Sequence, residues 1–481
     1  MDAIKALAFV GDLSMGQPIE HSLRTAWLAG KIARALGIDE GGCRAAQFVS
    51  LLRWSGCTAN APEFAELLGD EVSGRAAILA MQLEKLTLPG GTDQPFGSLQ
   101  KHAEIHCEVS GDIASTLGME ADVERSLRCI FETLDGAGLP NGLTAEQIPQ
   151  HVFIVNLASD IEIFTRTYSP ERAFELIRSR MGVRYSKQLV DDVQDSVPGW
   201  VRALNDGAAL VDSTFSTPSV LERETPLEMV ADVVDLKLPW LANFSRRVAD
   251  TAVQCARSMG MDELVQRRIY GAALIHGIGR SAVPNRLWNT TGSLNDSAWE
   301  RIRLMPYWTG RAANQISELR DIGEIASYAY ERLDGSGYFR GASARITPVE
   351  CRVVPAAVAY VALTSPRPWR TAFSPHNAIA ELRQQAQADR FDHDVVQAII
   401  DSSPGQAGRQ PVAIKPWASI LTEREVEVLR HISLGESNKA VAKILRISPS
   451  TVRTHVENVF RKLECSSRAA ATLKASRLGI L

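Results

Sequence analysis

At 481 residues the chain is too long for one hydrophobic core and has room for about three domains. Its 45% hydrophobic and 22% charged content is the profile of a globular protein, with no apolar run near the roughly 18 residues of a membrane helix, and Met1-Asp2-Ala3-Ile4-Lys5 lacks a secretion signal, so a cytoplasmic protein is expected. The net charge is −4, and seven cysteines without any two-residue spacing suggest neither a disulfide framework nor a zinc ribbon.

In chain order, residues 1–212 and 227–403 read as two helical bodies, with apolar stripes such as Val248, Ala252, Cys255, Ala256 and Met259 and few alternating strand patterns. Ser213 to Pro226, rich in Ser, Thr and Pro, separates them, and Ser402 to Pro411 marks the join to a tail. The two bodies look related to each other. Leu134-Asp135-Gly136-Ala137-Gly138 corresponds to Leu333-Asp334-Gly335-Ser336-Gly337, and Ala33-Arg34-Ala35-Leu36-Gly37 to Ala256-Arg257-Ser258-Met259-Gly260. The offset is 199 at the loop and 223 upstream, which places about 24 extra residues in the first body, between Thr58 and Gln100. Arg178, Arg180 and Arg184 read as a solvated basic face, and Trp288, Trp299, Trp308 and Trp369 as packing or as the wall of an aromatic pocket.

The second body resembles the HD-GYP family, helical phosphohydrolases that cleave cyclic di-guanylate at an iron centre. The resemblance runs from Pro239 to Ser402, through Ser245-Arg246-Arg247-Val248-Ala249, Ala272-Ala273-Leu274-Ile275-His276, Glu331 with the glycine loop, Thr364 and Arg367-Pro368. It implies that the first histidine position holds Phe244, the His-Asp pair is His276-Gly277 and the motif's lysine is Arg280. By the same resemblance a later histidine is Met305, the paired histidines are Ala329-Tyr330 and the final aspartate is Val358. Phosphodiester hydrolysis by metals needs several His and Asp ligands, so these substitutions predict a chain that is not an enzyme, with no catalytic residue and no cofactor. They also predict an apolar cleft, with Phe244, His276, Met305, Tyr330 and Val358 as a candidate pocket for a small hydrophobic or aromatic ligand.

Laid on the first body, the resemblance puts His21 and His106 at ligand positions and Asp160 within one place of the final aspartate, with Arg53-Trp54 and Ile130-Phe131 where the paired ligands belong. His102 and His106 are also four residues apart on a predicted helix. A remnant metal site drawn from His21, His102, His106 and Asp160 is the alternative; hydrogen-bonded structural histidines are the main expectation, because nothing supplies a bridging aspartate.

From Trp417 to Leu481 the charge reverses, with eleven Lys and Arg against six Asp and Glu. Thr422 with Glu425 forms a capping box, Ser437 caps a second helix, and Ser448-Pro449-Ser450-Thr451 opens a third. Val426, Leu429 and Ile432, then Ala440, Val441, Ile444 and Leu445, then Val452, Val456, Val459, Phe460 and Leu463 are the expected buried stripes. Arg453, His455, Asn458, Arg461 and Lys462 fill the opposite face of the third helix with donors for bases and phosphates. Leu421-Thr422-Glu423-Arg424-Glu425, Asn438-Lys439, Thr451-Val452-Arg453-Thr454-His455-Val456 and Lys462-Leu463 resemble the LuxR-type helix-turn-helix of bacterial regulators. That resemblance implies a helix from Ser450 in the major groove, Val452 and Arg453 on bases, Lys439, Thr451, His455 and Lys462 on the backbone, and a pairing helix from Ser467 to Leu478.

The expected fold is therefore all-α: two tandem HD-like helical domains, 1–212 and 227–403, and a four-helix LuxR-type domain, 417–481. The expected function is a DNA-binding transcriptional regulator whose HD-GYP-like region senses a small ligand or dimerises. Double-stranded DNA, RNA polymerase and a second copy of the chain are the expected partners. Two rivals stand beside it: an active metal-dependent phosphohydrolase with a DNA-binding tail, and a regulator switched by a protein partner.

Overall fold

The computed structural model describes residues 2–86, 99–207, 227–344, 346–403 and 420–481. All regular elements among them are helical. Most of the two predicted linkers and part of the expected 58–100 insertion lie outside the described residues. Among the described residues, 3–207 form one compact unit and those from 227 on another, which holds both the second body and the tail.

In the first unit the principal helices are α1 (Asp2–Ser14), α2 (His21–Ala35), α3 (Glu40–Leu52), α4 (Leu99–Thr116), α5 (Ala121–Arg128) and α6 (Gln150–Thr167). α2 packs on α3 and α6 around Leu28, Ile32, Val49, Leu52 and Val155, all at or near zero exposure. In the second unit α7 (Leu227–Asp235), α8 (Phe244–Ser258), α9 (Glu263–Ile275), α10 (Met305–Asn314) and α11 (Glu350–Leu363) build a similar core, with α8 packed on α9 and α11. Asp39 and Asp262 accept from Gly42 and Val265 at 2.8 and 2.9 Å, which satisfies free amides at the starts of α3 and α9.

The same bonds recur in both units. Ser22 gives its amide (3.0 Å) and hydroxyl (2.6 Å) to Asp12, and Ser245 gives its amide (2.7 Å) and hydroxyl (2.8 Å) to Asp235. Glu132 accepts from the amides of Asn141 and Leu143, and Glu331 from those of Arg340 and Ala342, so each glycine loop is pinned to one buried carboxylate. A Cβ on Gly337 would stand 2.3 Å from the Arg332 nitrogen, and on Gly138 2.2 Å from that of Thr133, so these two glycines serve close approach, while Gly136 and Gly335 supply the positive φ, +74° and +79°, at the turn itself.

The tail folds as α12 (Glu423–Ser433), α13 (Asn438–Leu445), α14 (Pro449–Leu463) and α15 (Arg468–Arg477), each opened by the side chain of Thr422, Ser437, Ser448 or Ser467. Val426, Leu429, Ile432, Val441, Val452, Val456, Val459 and Leu463 form its core, as the stripes predict. Ile444, predicted inside, is 50% exposed.

Candidate ligand cleft and nucleic-acid interface

In the first unit the predicted ligand positions are tied to separate partners. His21, at the start of α2, meets Glu162 of α6 through Nδ1 at 2.6 Å and the Arg53 guanidinium through Nε2. Arg24 and Arg166 reach the same carboxylate at 3.1 and 3.0 Å. Burial lowers the His21 pKa to about 4 despite the nearby Glu162, so the ring is neutral at pH 7. Arg53 is fully enclosed over the Trp54 ring, 4.6 Å from its centroid, and burial pushes its guanidinium down to about 10. His106 reaches the Arg53 carbonyl at 2.7 Å, His102 lies against the Phe64 ring at 4.9 Å, and Asp160 is held by Arg180 at 2.8 Å and the Tyr185 hydroxyl at 3.1 Å. Arg184 also approaches Asp160, at 3.7 Å. Only Arg178 of the basic run is on an exposed face; Arg180 and Arg184 turn inward because a buried carboxylate needs counter-charge.

In the second unit the five predicted pocket residues divide. Tyr330 and Val358 line a cavity of about 870 Å³, together with Trp299, Arg303, Arg332 and Tyr338. Phe244, His276 and Met305 are buried at 4% exposure or less and do not line it. The Phe244 and Tyr330 rings both lie near His276, with centroids 6.0 and 6.2 Å from it, and Tyr330 stacks on Tyr338 at 5.4 Å. His276 Nδ1 donates to the Ala273 carbonyl at 2.6 Å, which leaves the Nε2 lone pair facing no protein partner. Burial, then the charge of Arg280, lowers its pKa to about 3.

The cavity lining carries Arg303, Arg332 and Arg340 beside Glu300 and Glu331, so it is not the apolar cleft predicted from the substitutions; three further arginines, Arg280, Arg367 and Arg247, gather outside that lining. Arg280 pairs with Asp235 at 3.2 Å and reaches the Tyr330 hydroxyl at 3.4 Å. Arg367 lies over the Trp240 and Phe244 rings, 4.8 and 4.9 Å from their centroids. Arg247 bonds the hydroxyls of Ser365 and Thr364 at 3.0 and 3.1 Å. Burial, then the charge of Arg280, pushes Arg367 down to about 9, and among the described residues no carboxylate offsets it. Arginine at 367 was legible as part of a motif. Its convergence with Arg280 and Arg247 was not, because the three lie on separate segments brought together by α8 and α11.

HD-type hydrolysis calls for metal ions, and the donor set decides whether they fit. Among the described residues no three His, Cys, Asp or Glu side chains gather where one ion would be held. Of the positions named for the second unit, His276 alone offers an imidazole.

On the tail, Ser450, Thr451, Arg453 and Arg461 are exposed along α14, His455 and Asn458 half-exposed, and Lys439 exposed on α13. Val452 has zero exposure inside the core, so its predicted base contact is corrected: a side chain packed under α12 cannot also reach a groove. Lys462 binds Glu425 at 2.7 Å and ties α14 to the capping box of α12, a link that spacing alone did not reveal. Thr454, outside the predicted set, is also exposed on α14.

Comparison with known proteins adds two family matches: an HD domain over residues 228–395, and the luxR family of bacterial regulatory proteins over 419–475. The chain is 25% identical over 406 residues to a 3′3′-cGAMP-specific phosphodiesterase 3 of Vibrio cholerae, covering 78% of this chain and 88% of that one. It is 51% identical over 55 residues to the nitrate/nitrite response regulator NarP of Escherichia coli, covering 11% of this chain and 26% of that one. A solved cyclic GMP-AMP specific phosphodiesterase of V. cholerae shares the fold, with a TM-score of 0.58 at 23% identity over 83% of this chain and 96% of that one. Similarity to a phosphodiesterase over so much of the chain overturns the expectation that it is not an enzyme. Substitutions read position by position from one sequence do not exclude a hydrolase. The chain carries an HD domain and a C-terminal LuxR-type DNA-binding domain, and no helix among the described residues is long and apolar enough to cross a membrane.

Proposed function

We propose that this chain, an HD-domain protein with a LuxR-type DNA-binding domain, is a transcriptional regulator that takes a cyclic dinucleotide into its second HD-like body and answers on DNA. The observation that carries the reading is the arginine set beside the cavity, joined to its wall where Arg280 reaches the Tyr330 hydroxyl at 3.4 Å. Arg367 is half-buried beside Arg280 and Arg247 without an offsetting carboxylate among the described residues, an arrangement that an anion relieves. Tyr330 and Tyr338 supply a stacked aromatic wall, and Trp299 an exposed indole, for purine rings. The cavity's roughly 870 Å³ suits a ligand of that size. The relatives' names supply the phosphodiester chemistry.

Two HD-like copies, 1–212 and 227–403, the dimeric state, contact with RNA polymerase and a cytoplasmic setting belong to the same proposal. The recurring Asp-Ser and Glu-loop bonds support the duplication, and duplex DNA as ligand supports the compartment. A second reading, turnover of the same ligand, is favoured by the long alignment with a phosphodiesterase.

Calorimetry of the full chain with 3′3′-cyclic GMP-AMP and cyclic di-GMP tests the proposal, with promoter binding measured in parallel. Binding of either, with altered affinity for DNA, is the expected result; no binding at low salt defeats it. Chromatography of the same mixtures, with and without manganese, reads turnover.

A further inference from the structure

Helix α7 touches both the turn that carries Arg280, which reaches Tyr330 in the cavity wall, and the DNA-binding domain. At its C-terminal end Asp235 holds Arg280 at 3.2 Å and both donors of Ser245. One turn earlier Asp232 binds Arg246 through two contacts of 2.7 Å and lies within electrostatic reach of Arg477 in α15. α7 packs on the Ile278–Ala282 turn that carries Arg280, and also on α15. Every residue from Met229 to Asp235 is buried, whereas a helix covered on one side would leave a polar stripe in water.

On α15, Ala471 and Ala475 enter the core of the DNA-binding domain. Ala470 and Leu473 stand outside that core yet have 0% and 1% exposure. A second contact lies nearby. Gly435, after α12, has a φ of +84°, and a Cβ there would come within 2.9 Å of the Pro239 Cβ, just beyond α7. The DNA-binding domain is thus seated on α7 and on the turn that follows it.

We propose that α7 is the coupling element between ligand and DNA: a phosphate that engages Arg280 draws it from Asp235, and α7 then repacks against α15. The proposal rests on the anion reading of the cleft. Arg280 and Asp235 are both at 2% exposure, so the carboxylate cannot exchange its lost partner for water without movement of its helix. A packed helix interface responds in discrete steps rather than by continuous deformation, which carries the change to α15. Ligand alters DNA binding only to the extent that it prefers one of the two packings.

The experiment uses the full chain, a duplex selected by the chain from random sequence, and the same two cyclic dinucleotides. In the wild type the ligand should change the Kd for the duplex by about 5- to 150-fold. Asp235→Asn should bind ligand at least as tightly by calorimetry, since Arg280 no longer has to leave a carboxylate, and Leu473→Ala should bind it as the wild type does, while in each the change on the duplex falls below about twofold. Circular dichroism identifies a variant that fails to fold, and the other then decides. Wild-type coupling in the folded variants overturns the role of α7 and leaves ligand binding standing. A wild type that binds ligand without any change on DNA overturns it equally. A wild type that binds neither dinucleotide overturns this proposal and the anion reading together.

Discussion

The cleft region of the second unit and the matching region of the first solve one electrostatic problem in opposite ways. Both place a serine amide on an aspartate at the start of the second long helix, Ser22 on Asp12 and Ser245 on Asp235. In the first, Arg53 is enclosed among His21, Thr25 and Trp54, and the acids Glu162, Asp12 and Asp160 raise its charged form. In the second, Arg280 keeps one aspartate while Arg367 and Arg247 stand without one. An internally compensated cation closes a site and stabilises the fold. A cluster of cations short of acids leaves demand for an external anion.

The sharpest way to break that comparison is to remove the enclosed cation. Arg53→Leu should destabilise the first unit by about 3–5 kcal/mol, read as a lowered midpoint in urea, because Glu162 and Asp12 are left with less counter-charge. A loss under about 1 kcal/mol would show that Arg53 is a spectator. By contrast, Arg367→Gln should leave the midpoint nearly unchanged and weaken cyclic dinucleotide binding by about 1.5–3 kcal/mol, the range of a hydrogen bond to a charged group. Were the order of effects reversed, the roles assigned to the two regions would be reversed with it.

On the DNA side, Arg453→Ala should cost about 1–3 kcal/mol on the preferred duplex and relax selectivity, measured by competition among altered sites. Retained selectivity would mean that the exposed face of α14 is not the reading face. Next in size is the response to acid. His106 is neutral when folded, its pKa lowered to about 3 by burial, whereas the unfolded ring titrates near the ordinary histidine value of 6.5. The unfolded chain therefore binds the extra proton below pH 6.5, and stability falls as pH drops from 6.5 toward 3. His21 acts in the same sense down to about 4. His106→Gln should flatten the urea midpoint profile by about 1.4 kcal/mol per pH unit; an unaltered slope would place the acid response elsewhere. Smallest of all, Lys439→Ala should weaken every duplex alike and reduce the salt slope by about one.

Local patterns were legible wherever the cause was local. Thr422 with Glu425, Ser437 and Ser448 opened helices as their spacing predicted, since a cap depends on amides only a few residues away. Ile444 misled for a complementary reason: its helical spacing fits the buried stripe, but α13 is a short helix covered on one side only. Val452 was assigned both to the core and to the bases, and packing admits only the first.

By itself the sequence determined the helical class, the glycine loops and the capped helices of the LuxR-type domain, because periodicity, capping and close backbone approach are encoded within a few residues. Only the tertiary structure decided which charges meet. Arg53 with His21 and Glu162, Arg280 with Asp235, and Asp160 with Arg180 join residues 20 to 141 positions apart. Burial then sets which of those groups are neutral and which are left seeking a partner, since desolvation depends on the surrounding three-dimensional packing and not on the spacing of letters.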